Sequence, residues 1–300
     1  MKILRAQHRG MCFGVRDAIA LATERSAAAR VTVLGDLVHN EHVLSDLKRR
    51  GVQFRRDPRE VETKDVMITA HGASESAIDS IRKLGLNVIE ATCPLVRYAH
   101  TAIGKLADDG FHPVIIGKPD HVEVRGLTGD LEDFDVIQSE SDITNLQERP
   151  RFGVAAQTTQ PLARVQAIYQ ALRDRFPNSD FRFVDTVCGP TKQRQAAADE
   201  IAREADVVIV IGGANSNNTR ELVATCQRHC ERVHHVQQPG DLQREWLFGA
   251  DIVGVTAGTS TPDPLIKEIE EALLSMSPDQ RPLVDKALSA IPAMAGALSK

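Results

Sequence analysis

Cysteine, histidine and glutamate are the residue types in this chain best suited to chemistry, and the cysteines come first. They stand at Cys12, Cys93, Cys188, Cys226 and Cys230. The count is odd, the gaps are wide and no C-x-x-C pair occurs, so neither a disulfide framework nor a zinc ribbon is indicated. A free cysteine by itself is ordinarily a small buried hydrophobe. Thiolates gathered by a fold are another matter, because they are soft ligands for zinc or for iron–sulfur clusters.

The elements that must position these cysteines repeat. Cys12, Cys93 and Cys188 each lead into a helix-period segment: G-V-R-D-A-I-A-L-A-T-E-R, P-L-V-R-Y-A-H-T-A-I-G-K-L and G-P-T-K-Q-R-Q-A-A-A-D-E-I-A. A short β-rich run precedes the second and third, and Pro94 and Pro190 stand where a first helical turn tolerates proline. The next apolar strand ends at Gly35, Gly117 and Gly212, which lie 23, 24 and 24 residues beyond the three cysteines. Another strand follows in each unit, near His71, Gln157 and Gly258. Strands alternating with helices predict parallel sheets joined by right-handed crossovers. The expected architecture is α/β: three pseudo-symmetric modules, residues 1–92, 93–187 and 188–275, with mainly parallel sheets in a trefoil around a central metal site. A C-terminal tail, 276–300, falls outside the repeat and is expected to be partly disordered.

A cysteine at a strand-to-helix junction sits at the positive end of the helix dipole, which favours thiolate. The carboxyl ends of parallel strands form the ligand crevice. Three modules about a pseudo-axis bring three such crevices, and three thiols, to one centre. Three equivalent ligands suit a [4Fe–4S] cluster whose fourth iron has no protein thiolate and is open to chemistry. Zinc on three cysteines and a histidine is the competing metal. Cys226 and Cys230 have no counterparts in the other modules and keep the bland reading.

Polar residues recur just past the same strand ends. His39 and Asn40 follow Gly35, His121 and Glu123 follow Gly117, and Ser216 and Asn218 follow Gly212. The second set of ends adds His71, Thr158 and Ser260. Imidazoles, hydroxyls, amides and helix N-termini together can hold a phosphate or diphosphate. No Walker loop and no G-x-G-x-x-G after a strand occurs, so a standard nucleotide site is not indicated. Glu123, two residues from His121, is the carboxylate placed for proton transfer beside the metal. Trp246, Leu247 and Phe248 read most simply as core.

Composition excludes other classes. A net charge of −5 and 4% aromatic residues argue against a nucleic-acid binder, which needs a basic face or stacking platforms. No apolar run approaches the ~20 residues of a membrane span, and the first residues show no apolar export segment. The expected location is the cytoplasm.

The segments C-F-G-V at Cys12, V-H-N at His39, A-H-G at His71, A-T-C-P-L-V at Cys93, H-V-E-V at His121, Q-T-T at Gln157, V-C-G-P-T-K-Q-R-Q at Cys188, N-S-N-N-T-R-E-L at Asn215 and T-A-G-T-S-T-P at Thr256 resemble the IspH/LytB family of 4-hydroxy-3-methylbut-2-enyl diphosphate reductases. The motifs run in order across residues 1–275. The resemblance implies the last step of the methylerythritol phosphate route to isoprenoids. It implies a [4Fe–4S] cluster on Cys12, Cys93 and Cys188, with the substrate's allylic hydroxyl at the unique iron. Two electrons and two protons remove that hydroxyl as water, giving isopentenyl and dimethylallyl diphosphate. By motif, His39, His71, His121, Ser216, Asn217, Asn218 and Ser260 hold the diphosphate, while Glu123, with Thr158 beside it, delivers the proton. A low-potential donor such as ferredoxin or flavodoxin is the implied partner. Three positions depart from the family pattern: Val122 stands in place of proline, Lys118 in place of histidine and Pro190 in place of alanine. Two rivals remain: a quinolinate-synthase-like dehydratase, whose carboxylate substrate calls for arginine or lysine ligands, and a non-catalytic iron–sulfur sensor.

Overall fold

Runs of valine and isoleucine without polar alternation, such as 207–211, are the signature of strands covered on both faces. In the computed structural model, which describes residues 1–276, they form three four-stranded sheets in which every pairing is parallel. Positions 277–300, nearly all of the tail expected from the sequence, lie outside the described residues.

The chain opens with β1 (Lys2–Arg5) and α1 (Phe13–Ala28). One sheet follows, in the order β3-β2-β4-β5, from β2 (Val31–Leu34), α2 (Glu41–Arg49), β3 (Gln53–Arg55), β4 (Asp65–Ile68), α3 (Glu75–Lys83) and β5 (Asn87–Glu90). After α4 (Pro94–Asp108) the pattern recurs as β6 (His112–Ile116), α5 (Val122–Thr128), β7 (Asp135–Ile137), β8 (Arg151–Ala156), α6 (Leu162–Arg175) and β9 (Asp180–Phe183), ordered β7-β6-β8-β9. After α7 (Gly189–Glu204) come β10 (Val207–Ile211), α8 (Asn217–Gln227), β11 (Val233–Val236), β12 (Ile252–Ala257) and α9 (Asp263–Ser275).

The third sheet runs β1-β12-β10-β11, so its fourth strand is the amino terminus of the chain. Lys2 through Arg5 pair with Ile252 through Val255. The sequence reading put these residues in the first module, 1–92; their sheet is the third. β1 occupies beside β12 the place that β5 has beside β4 and β9 has beside β8. The repeat therefore closes on itself, with one strand borrowed across the ends of the chain. A pairing across some 250 residues leaves no local signal in sequence.

Each sheet is covered on two faces by separate apolar clusters. Ile209, Val255 and Ile269 lie on one face of the third sheet, with Val208, Val210 and Ala198 on the other. Cys226 and Cys230 are buried in that second cluster, as the bland reading expected. Burial pushes the Cys226 thiol up to about 12. Of the aromatic segment read as core, Leu247 is buried and Trp246 packs partly against it, stacked on His234 with ring centroids 4.0 Å apart. Phe248 is a correction: it is 65% exposed, because the short 3-10 turn through Leu247 ends before it and turns its ring outward.

Candidate active site

The three cysteines share one structural address. Cys12, Cys93 and Cys188 are the N-cap residues of α1, α4 and α7. Each backbone N–H donates to a carbonyl just past the end of an interior strand: Cys12 to Thr259 (3.0 Å), Cys93 to Ala70 (3.1 Å) and Cys188 to Thr158 (3.0 Å). All three thiols are free and half-buried. Gly14 shows how tightly the first two modules meet here, since a Cβ at that position would overlap the Sγ of Cys93. Only glycine permits this approach.

The thiols differ from the sequence expectation in one respect. Helix N-termini were expected to lower their pKa values, yet burial pushes Cys93 up and Cys188 up to about 11. Backbone N–H groups of Leu95 and Val96 near Cys93, and the hydroxyl and N–H of Thr191 near Cys188, offset this only in part. Desolvation of a sulfur anion outweighs the field of one helix end. A bound metal centre supplies the missing positive charge and deprotonates its thiols as it binds. Among the described residues no three His, Cys, Asp or Glu side chains converge to hold a single ion. A cluster makes no such demand, because each thiolate takes its own iron. Three free thiols presented by three modules fit an iron–sulfur group.

Three histidines gather beside them. The ring centroids of His39 and His71 are 4.6 Å apart, those of His39 and His121 5.3 Å, and those of His71 and His121 5.6 Å. Burial lowers all three pKa values, with His121 at about 3. They are neutral near pH 7. His121 is the N-cap of α5, and its Nδ1 accepts from the Glu123 N–H at 3.1 Å. That bond assigns the ring proton to Nε2 and leaves it as a donor.

Glu123 is no surface helix glutamate: it is 2% exposed. Its Oε1 accepts from the Thr158 N–H at 2.6 Å. Burial raises its pKa to about 7, against the pull of Thr158. The carboxylate also acts on the Cys93 and Cys188 thiols, so it lies near both, and its backbone N–H ties it to His121. A carboxyl group with this pKa is protonated often enough at neutral pH to serve as an acid.

The third module completes the ring. Ser216, Asn218 and Ser260 are all nearly inaccessible. Ser216 Oγ accepts from the Thr219 N–H at 3.3 Å and keeps its own hydroxyl proton to donate. Ser260 Oγ, both side-chain polar atoms of Asn218 and Nε2 of His39 are buried without any protein partner. Each such atom costs about 1–3 kcal/mol if left unsatisfied. An anion with several acceptor oxygens satisfies such a set. Asn217 behaves differently: its amide donates to the hydroxyl of Thr159 at 3.0 Å, across the boundary to the second module.

Sequence reasoning missed several neighbours. Thr191 has its Oγ1 3.0 Å from Cys188 Sγ. Thr159 takes the Asn217 amide and also the side chain of Gln157, at 3.2 Å. Arg194 is buried, and its guanidinium donates to the Gly10 carbonyl at 2.9 Å and the Pro190 carbonyl at 3.0 Å. Burial lowers its pKa, and Cys12 and Cys188 pull it back. All of them sit inside quoted motifs: Thr191 and Arg194 stand three and six residues beyond Cys188 on the helix it caps, and Thr159 follows Thr158 just past a strand end, which was the available signal.

Comparison with known proteins follows the same outline. The LytB protein family profile matches residues 3–274. A 4-hydroxy-3-methylbut-2-enyl diphosphate reductase of Caldanaerobacter subterraneus subsp. tengcongensis is 32% identical over 283 residues, covering 92% of this chain and 98% of that protein. A solved E-1-hydroxy-2-methyl-but-2-enyl-4-diphosphate reductase from Plasmodium falciparum superposes with a TM-score of 0.85 at 26% identity, over 92% of this chain and 88% of that one. A second solved reductase, described as the terminal enzyme of the non-mevalonate pathway, is 34% identical with a TM-score of 0.66, over 91% and 99% of the two chains. With its three-cysteine address and histidine ring inside the matched span, the chain belongs to the LytB family of 4-hydroxy-3-methylbut-2-enyl diphosphate reductases.

Proposed function

We propose that this chain is a 4-hydroxy-3-methylbut-2-enyl diphosphate reductase of the methylerythritol phosphate pathway. It removes the allylic hydroxyl of its substrate with two electrons and two protons, releasing water and giving isopentenyl and dimethylallyl diphosphate. When bound on Cys12, Cys93 and Cys188, a [4Fe–4S] cluster supplies the electrons and an iron without a protein thiolate. A low-potential protein such as ferredoxin or flavodoxin is the matching electron source, and a reducing cytoplasm suits five free thiols.

The residues of the chain divide the remaining work. Neutral His39, His71 and His121, with Ser216, Asn218 and Ser260, donate hydrogen bonds to the diphosphate, whose charge they meet without carrying any beforehand. Asn217 belongs to the same group and steadies Thr159 for it. Glu123, oriented by Thr158, holds a proton at its carboxyl and passes it to the hydroxyl oxygen as the C–O bond breaks. The buried walls exclude water, which would otherwise compete for that proton and screen the donors.

What supports this reading is one buried carboxylic acid near two of the three thiols, together with His39, Asn218 and Ser260 side chains buried without protein partners. The test is direct. Anaerobically purified protein, given the hydroxylated allylic diphosphate and dithionite, should yield both five-carbon diphosphates. A protein that carries a cluster yet leaves this substrate untouched contradicts the proposal.

A further inference from the structure

The donors inside the site are neutral, so they do not explain how a highly charged substrate is drawn in. The whole chain carries a net charge of −5 and repels an anion at long range. A cleft of about 750 Å³ offers the missing attraction. Arg56, Lys118, Arg125 and Arg220 line it, and His39 and His121 form part of its wall. It therefore opens onto the histidine ring. Arg56 lies just past β3, Lys118 just past β6, Arg125 on α5 and Arg220 on α8, so all three modules contribute a cation.

None of the four cations is within ion-pairing distance of a carboxylate among the described residues. Many other surface cations of this chain are so paired, including Arg49, Arg59, Arg82 and Arg203. Two carboxylates, Asp36 and Asp120, also line the cleft. They leave a local excess of two positive charges. Lys118 and Arg220 are near enough to act on both His39 and His121.

We propose that this cleft is a capture site for the diphosphate group, in which Arg56, Lys118, Arg125 and Arg220 attract the anion and deliver it to the neutral donors within. The proposal rests on the reductase reading for its natural ligand, but not for its chemistry, since any diphosphate should respond. Attraction and tight holding are separated: the cations, exposed at Arg56, Arg125 and Arg220 and half-buried at Lys118, act at a distance and are screened by salt, whereas the buried hydrogen-bond donors act at contact. Lys118, one of the departures from the family pattern, adds a permanent charge where histidine would be mostly neutral at pH 7.

The experiment compares the holoprotein with the triple variant Arg56→Gln, Lys118→Gln, Arg220→Gln. A control of equal charge change, Arg30→Gln, Lys83→Gln, Lys105→Gln, alters exposed cations elsewhere. Binding of inorganic diphosphate is measured by calorimetry and stopped flow from low to high ionic strength. Turnover is measured with dithionite, so that no protein electron carrier enters. The cleft variant should lose on the order of 10-fold in association rate and in kcat/KM at low salt, with kcat within about twofold, and its salt dependence should flatten. The control should follow the wild type. A cleft variant that keeps the wild-type rate and salt slope overturns the proposal, as does a loss confined to kcat. If the wild type binds inorganic diphosphate with the expected salt slope but turns over no allylic diphosphate, the reductase reading fails and the capture site stands.

Discussion

At the scale of single residues, the site is built from groups whose protonation burial has shifted towards the neutral form. Glu123 is the clearest case, with burial raising its pKa to about 7. Because the folded value is raised, the acid form dominates below that pH and is lost above it. The chemical step should therefore slow as pH rises from about 6 to 8, and Glu123→Gln should lower kcat by roughly 10²–10⁴ while the cluster spectrum persists. A sensor would keep its function with glutamine there, so an unchanged response in that variant would favour the non-catalytic rival. The histidines shift the other way: burial holds His121 at about 3, with His39 and His71 also lowered. An arriving diphosphate raises those values, so binding should take up protons and tighten as pH falls from about 8 to 6. Calorimetry in buffers of different ionisation enthalpy measures that uptake directly. His121→Asn, which keeps an acceptor for the Glu123 N–H, should weaken diphosphate binding and reduce the uptake. Binding that takes up no proton would leave the histidines as neutral donors throughout, and unchanged binding in His121→Asn would remove His121 from the anion site.

At the scale of elements, much of the arrangement was legible because it is written three times. The cysteine-to-glycine spacings and the helix-period segments after each cysteine give α1, α4 and α7 and the strands beyond them. What was written once was harder to read. β1 has no local mark of its partner, because parallel pairing with β12 is decided by the closure of the whole ring. Arg194 and Thr191 belong to one module only, so the repeat gave them no support. The thiol pKa values were misjudged for a physical reason: sequence reveals the helix end but not the desolvation around Cys93 and Cys188. The borrowed strand makes a specific prediction. Ile3 packs against the core of the third sheet, so Ile3→Ala should cost about 1–2 kcal/mol. Hydrogen exchange should speed up in Ile252–Ala257 and Val207–Ile211 well before Val31–Leu34. Faster exchange in Val31–Leu34 first would return β1 to the first module.

At the scale of the whole molecule, three sheets meet so that one strand-to-helix junction from each reaches a shared centre. Family relatives cover more than nine-tenths of the chain, and no helix among the described residues is long and apolar enough to cross a membrane. The two solved reductases rank oppositely by sequence and by shape: 26% identity goes with a TM-score of 0.85, and 34% with 0.66. The central claim is that the five cysteines separate into three with one address and two without. Iron and acid-labile sulfide, measured after anaerobic purification of the five single Cys→Ser variants, test it directly. The wild type, Cys226→Ser and Cys230→Ser should each hold about four iron and four sulfide per chain and remain active. Cys12→Ser, Cys93→Ser and Cys188→Ser should lose most of the cluster and all but a trace of turnover. A full, active cluster in any of these three, or loss of the cluster from folded Cys226→Ser or Cys230→Ser, would contradict the account.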